Sequence, residues 1–244
     1  MLITSSDNAK VANVCKLLDK KYRKANGMYV IEGERLVSDA FKYGAEIVDV
    51  FVKVSVEHKF HFPNQISVAD RVFAKMSDTV TSQGVLATVK LPVQALCPPK
   101  GNCLVLDGLQ DPGNVGTLIR TAAACGFTDV YAANCVDVYS PKVLRAAMSA
   151  HFCLNVWQAD LQSVFEHLSG VNVVAADMQG EDVFAAQFPK KVALVLGNEG
   201  NGLSDFVRSN VERSVALPMQ NHFESLNVAV AGSVIMYQIY HQTK

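Results

Sequence analysis

Apolar positions along this 244-residue chain recur with two different periods, and the switch between them marks out the elements. Residues 45–54 (AEIVDVFVKV) and 84–90 (GVLATVK) are β-branched, strand-length runs, whereas 35–43 (RLVSDAFKY) spaces Leu36, Ala40 and Phe41 as a helix does. This first stretch predicts a small α/β unit. Residues 91–102 (LPVQALCPPKGN) carry three prolines and a glycine, the composition of a linker, which divides a domain over 1–96 from one over 97–244. Beyond it, CLVLDGL, DVYAAN, VNVVAAD, VALVLG and SVALPM are short β-rich runs separated by helical patterns at about 115–125, 141–149, 160–169, 203–210 and 225–242. Such alternation requires crossover connections, so the expected fold class is α/β, with a parallel sheet covered on both faces.

Three Gly/Asn-rich loops follow apolar runs in the second domain: DPGNVG from Asp111, GNEGNG from Gly197, and the stretch from Leu217 to Asn227. Loops at strand ends expose side chains and bare backbone to a ligand. In the first, Asp111-Pro112-Gly113 reads as a turn and Asn114 as a helix cap, with Val115, Leu118, Ile119 and Ala122 forming the buried stripe. Arg120 lies off that stripe, on the side of Gly116 and Thr117, where a guanidinium leaning toward the helix N-terminus grips phosphate. A surface arginine beside a capping asparagine is the alternative.

The second loop sets Glu199 among Gly197, Gly200 and Gly202. Its spacing is not G-x-G-x-x-G, no ribose-binding acid follows about 20 residues on, and no G-K-[ST] is present, which disfavours dinucleotide and P-loop readings. In the third, Ser225 is the expected cap of a helix that is apolar nearly all round from Val228 to Tyr240, and Asn227 falls inside its first turn.

Charge refines the picture only locally. The chain is near neutral (Lys+Arg 22, Asp+Glu 23), but residues 1–96 hold thirteen basic against ten acidic side chains. Lys10, Lys16, Lys20, Lys21, Arg23 and Lys24 face a single Asp19, with Tyr22 among them, a pattern suited to RNA phosphates or to a solvated helix face. The six cysteines lack a C-x-x-C pair, which argues for reduced thiols and a cytoplasmic protein; no apolar stretch is long enough to predict a membrane span. His58-x-x-His61 lacks further ligands at metal-site spacing, and Trp157 is expected in the core.

Together, Asn114 with Arg120 six residues on, G-N-E-G, and Pro218-Met219 followed by Ser225-Leu226-Asn227 resemble the three motifs of the SpoU (TrmH-type) RNA ribose methyltransferases of the SPOUT superfamily, over nearly all of 103–242. The N-terminal YVIEGERLVSDAF and SQGVLATVK resemble the L30e-like substrate-recognition domain of rRNA-modifying members. The resemblance implies a C-terminal trefoil knot, a homodimer, no metal, and S-adenosylmethionine as cofactor, with Gly197, Leu217, Met219 and Leu226 as its contacts. It implies methyl transfer to a ribose 2′-hydroxyl, with large-subunit rRNA favoured over tRNA, and with Asn114, Arg120, Glu199, Ser225 and Asn227 as catalytic residues. Lys20, Lys21, Arg23 and Lys24 would meet the RNA. A non-catalytic RNA-binding protein is the competing reading, but all five of those site residues are present. Asn221 stands where relatives often have glycine, and His222 beside it is expected at the surface or in local packing.

Overall fold

The computed structural model describes residues 2–93, 95–220 and 225–244; Asn221 and His222 lie outside them. Contacts divide the chain into two compact units, Met1–Val93 with Tyr139–Phe152, and Gln94–Val138 with Cys153–Lys244.

The first unit runs β1 (Leu2–Ile3), α1 (Ala9–Leu17), α2 (Lys20–Asn26), β2 (Met28–Glu32), α3 (Glu34–Lys42), β3 (Ile47–Lys53), β4 (Ile66–Val68), α4 (Asp70–Met76) and β5 (Val85–Lys90). Its mixed sheet has the order β1-β4-β3-β5-β2. Strand alternation sends Val30, Phe51 and Leu86 to one face, under Val11, Val14 and Leu17 of α1 and Val72, Phe73 and Met76 of α4. Tyr29, Ile31, Val50, Val52 and Val85 face the other way, under Leu36, Val37 and Ala40 of α3. Phe41, expected on the buried stripe of α3, is instead exposed, and Val37 takes its place.

Arg23 departs from the expected RNA-facing patch. Only 4% exposed, it donates from Nη1 to the Leu17 carbonyl at 2.7 Å, an oxygen that the end of α1 leaves without a helical partner. The buried guanidinium thus joins α2 to α1, while Lys20, Lys21 and Lys24 stay exposed.

Tyr139–Phe152 belongs to this first unit, although it is encoded well beyond the proline-rich stretch. Leu144 is buried among the residues under α3, and Arg145 Nη2 donates to Asp78 at 2.7 Å. No composition signal marks this return.

In the second unit, β6 (Cys103–Asp107), α5 (Pro112–Ala124) and β7 (Asp129–Ala133) precede that excursion, which contains α6 (Pro141–Ala147). Then follow β8 (Asn155–Gln158), α7 (Leu161–His167), β9 (Asn172–Asp182), β10 (Val192–Leu196), α8 (Asp205–Asn210), β11 (Ser214–Ala216) and α9 (Val228–Thr243). The six strands take the order β11-β9-β10-β6-β7-β8, and every pair is parallel. β8 is the strand absent from the sequence reading: NVWQ is short, but its Trp157 is buried in the core as expected.

Both faces are covered. Val105, Tyr131 and Val195 pack toward α7 and α8, where Phe165 meets Phe206 edge-on at 5.2 Å. On the other face α5 and α9 lie against each other, with Thr121 Oγ1 and Ser233 Oγ 3.0 Å apart.

β9 keeps its register with β11 at Ala175, loses it, and resumes at Glu181, so residues 176–180 form an excursion at the sheet end. Gly180 permits this because a Cβ there would sit 2.5 Å from the Val215 nitrogen. Gly180→Ala is therefore expected to cost about 1–3 kcal/mol by overpacking, read from the urea midpoint.

Candidate active site at three strand ends

β10 pairs with β6 in register from Ala193 opposite Cys103 to Leu196 opposite Leu106, so the loops leaving both strands start side by side. The first contact between them is Asn198 Nδ2 donating to the Gly108 carbonyl at 2.7 Å. Asn198 Oδ1 accepts from the amides of Gly200 and Asn201 at 2.9 and 3.0 Å, and its backbone exchanges hydrogen bonds with Gly202. The loop is thus a closed turn braced from within. Asp107, 4% exposed at the end of β6, accepts from the Ser204 amide at 2.7 Å and holds its far end.

Gly197 is where this turn folds back on itself. A Cβ there would lie 2.4 to 2.5 Å from Gly202 and Leu203 backbone atoms, so only a bare backbone fits.

Glu199 reaches the first loop. Its Oε1 accepts from Asn114 Nδ2 at 3.2 Å and from the Asp111 amide at 3.3 Å, and its Oε2 from the Gln110 amide at 3.4 Å. Burial raises the pKa of this carboxyl, but the backbone N–H groups around it and the Asn114 amide favour the anion more, so the net shift is downward. Glu199 is held by donors on both oxygens, which fits positioning better than proton transfer.

The helix caps differ from the sequence expectation. Asp111, not Asn114, caps α5, accepting from the Asn114 amide at 2.7 Å, because Pro112 takes the first helical position and puts the cap just before it. Asn227, not Ser225, caps α9, its Oδ1 accepting from the amides of Ala229 and Val230 at 2.9 and 3.2 Å. Both reassignments free a side chain for the site. With Oδ1 committed to the cap, Asn227 donates through Nδ2 to Asn114 Oδ1 at 3.0 Å, and Asn114 in turn donates to Glu199.

A cavity of about 620 Å³ opens beside this chain of amides. Gly197, Leu217, Met219 and Leu226 line it, as do Glu199, Ser225 and Asn227. Among lining residues that sequence reasoning missed are Asp177 and Met178, from the irregular part of β9, and Arg208, whose Nη1 donates to Asp177 at 3.0 Å. The only sequence signal for Asp177 was its place at the end of the VNVVAAD run. Asn114 touches the cavity's residues through its hydrogen bonds but is not in the lining, and Arg120 stands apart from both. Exposed on α5, Arg120 makes no ion pair among the described residues.

A thiol beside the site is unsuited to nucleophilic chemistry. Cys135 donates to the carbonyls of Leu106 and Ala133, and burial, reinforced by the charges of Asp107 and Glu199, pushes its thiol up to about 11, so it is no nucleophile near neutrality. Among the described residues no cluster of His, Cys, Asp or Glu is arranged to hold a metal, and no helix is long and apolar enough to cross a membrane.

A parallel α/β unit whose strand-end loops enclose such a cavity is matched at residues 101–237 by the SpoU rRNA methylase family model, and residues 8–87 match the MRM3-like substrate binding domain. The chain belongs to the SpoU rRNA methylase family. It is 32% identical to the 23S rRNA (guanosine(2553)-2′-O)-methyltransferase RlmP of Bacillus subtilis, over 97% of this chain and 98% of that protein. Human mitochondrial rRNA methyltransferase 3 is 36% identical over 54% of this chain and 35% of its own length. Among solved structures, the SpoU methyltransferase AviRb from Streptomyces viridochromogenes, in complex with AdoMet, superposes with a TM-score of 0.87 at 25% identity, covering 96% of this chain and 98% of that one. An RNA 2′-O ribose methyltransferase matches with a TM-score of 0.82 at 27% identity over 99% of both chains.

Because the folded pKa of Glu199 lies below its unfolded value, its hydrogen bonds stabilise the protein above the ordinary carboxylate range and lose that effect as pH falls through the folded pKa. The melting temperature of the wild type is expected to exceed that of Glu199→Gln at neutral pH, and the gap to close on titration below about pH 4.3.

Proposed function

We propose that this protein uses S-adenosylmethionine to methylate a ribose 2′-hydroxyl in large-subunit (23S) rRNA. The observation that carries the reading is the directed chain Asn227–Asn114–Glu199, set at the rim of a cavity floored by the bare backbone of Gly197. The near-full-length likeness to RlmP supports rRNA as the substrate class.

The cavity fits the donor. Its volume lies within the range of small-molecule sites, Leu217, Met219 and Leu226 give it apolar walls for adenine and a sulfonium, and Gly197 leaves main-chain groups accessible. S-adenosylmethionine, when bound there, supplies an electrophilic methyl group.

The chain's own residues must then align and activate a weak nucleophile, the ribose hydroxyl. Asn114, Glu199, Ser225 and Asn227 orient the sugar and the arginine near it. Arg120 offers a fork of N–H donors and no acceptor, so in this role it grips a phosphate oxygen, itself a candidate acceptor for the hydroxyl proton, or stabilises charge developing on the 2′-oxygen.

Arg120 lies outside the cavity lining, and this favours a site completed by a second copy of the chain. α9 offers a surface for one: Val230, Val234 and Tyr237 recur on one helical face and are 51%, 37% and 53% exposed. In this reading residues 1–96 bind RNA and 97–244 carry the knotted catalytic domain, with the 139–152 excursion contributing to the first unit. The free cysteines accord with a cytoplasmic setting.

Arg120→Ala is expected to lower methyl transfer by about 10²–10³-fold, the loss typical of one preorganised donor, while calorimetric binding of S-adenosylmethionine stays unchanged. Undiminished transfer would overturn the role given to Arg120. Mapping 2′-O-methylated nucleotides in rRNA and tRNA from cells with and without the gene tests the substrate: one 23S rRNA position should lose its methyl group in the deletion strain.

A further inference from the structure

The first unit presents partly exposed aromatic rings on the side of α3. Phe41, at the end of α3, is 37% exposed, Tyr43 is 48% exposed and Phe60 is 44% exposed. Phe41 and Phe60 both rest on Phe62, with ring centroids at 5.8 and 6.3 Å, and Phe62 is itself buried in the core under α3. The two outer rings are therefore held in place by a rigid floor.

The loop bearing Phe60 is also anchored. Glu34, in the first turn of α3, accepts from the Lys59 amide and, at 3.1 Å, from the Phe60 amide, and the Glu34 amide donates to Gln83 Oε1 at 3.0 Å. Interleaved with the rings are Lys42 and Lys59, exposed and without an ion pair among the described residues. Lys42 Nζ lies 5.6 Å from the Tyr43 ring centroid.

Exposed rings, two of them seated on a buried third, beside lysines that form no ion pair among the described residues match unpaired RNA, whose bases stack on aromatic faces and whose phosphates take the lysines. We propose that Phe41, Tyr43 and Phe60, with Lys42 and Lys59, form a stacking surface that captures unpaired nucleotides of the RNA substrate. It lies with α3, over the sheet face opposite the one covered by α1, so it is distinct from the lysines of α2. The inference rests on the RNA-methylating function proposed above and adds the part of the RNA that is held: single-stranded bases rather than duplex.

The test uses the full chain and two fluorescent probes, a single-stranded 12-nucleotide oligouridine and a blunt-ended RNA duplex of similar charge. Phe41→Ala/Phe60→Ala is expected to weaken oligouridine binding by about tenfold or more, with little change for the duplex. Phe41→Tyr/Phe60→Tyr should keep the affinity, since the rings remain. Lys42→Glu/Lys59→Glu, on exposed positions that leave the core intact, should weaken both probes and flatten the salt dependence. S-adenosylmethionine binding should be unaffected in every variant. Unchanged oligouridine affinity in the double alanine variant, equal loss for both probes, or a change of oligomeric state in its place would overturn the proposal. A wild type that binds oligouridine through these rings but transfers no methyl group would refute the enzymatic reading and leave this surface standing.

Discussion

The site depends on the register of β10 against β6. With Leu196 opposite Leu106, two loops leave adjacent parallel strands at the same level, and Asn198 can reach the Gly108 carbonyl while Glu199 meets the Gln110 and Asp111 amides. A slip of one residue would turn every buried side chain of β10 to the opposite face. It would also carry Gly197 away from Gly202 and Leu203, whose backbone it touches so closely that no side chain is tolerated. The buried sheet thus fixes the position of a loop made largely of exposed residues. α9 completes the arrangement by bringing Asn227 from the far end of the sequence, its seat against α5 set by Gly232, where a Cβ would press on Leu118 and Leu196.

Much of this was legible in the chain. Apolar runs gave the strands of the second unit other than β8, and the two-period switch gave the parallel α/β class, because β6, β7 and β10 are buried at every position and carry a charge only at a strand end, Asp107 in β6 and Asp129 in β7. Asn114 and Glu199 stood out as polar residues among glycines and Asn227 as a polar residue at the start of an apolar helix, and they meet. Ser225, Gly197, Leu217, Met219 and Leu226 gather around one cavity. Arg120 joins neither group in the single chain.

What the sequence concealed was mostly a matter of competition between equivalent groups. Asp111 and Asn114 are both good caps, and only the proline between them decides; Ser225 and Asn227 compete likewise, and tertiary contact with Asn114 selects the second. Arg23 looked like its lysine neighbours, but burial follows from the Leu17 carbonyl at the end of the preceding helix, which no charge pattern reveals. The return of residues 139–152 to the first unit is a nonlocal choice, made by Leu144 and the Arg145–Asp78 pair. Lining by Asp177 and Met178 needs the register shift in β9.

Asn227, Asn114 and Glu199 form a relay of hydrogen bonds. Asn227 and Asn114 carry no proton that titrates, and the direction of their hydrogen bonds is fixed at one end by a helix cap and at the other by a carboxylate whose pKa is depressed. Between mild acid and strong base the relay therefore has a single protonation state. Its geometry is insulated from the pH of its surroundings, so any response to pH near neutrality must enter from the RNA or from groups elsewhere in the protein, not from the orientation of the side chains at the three strand ends.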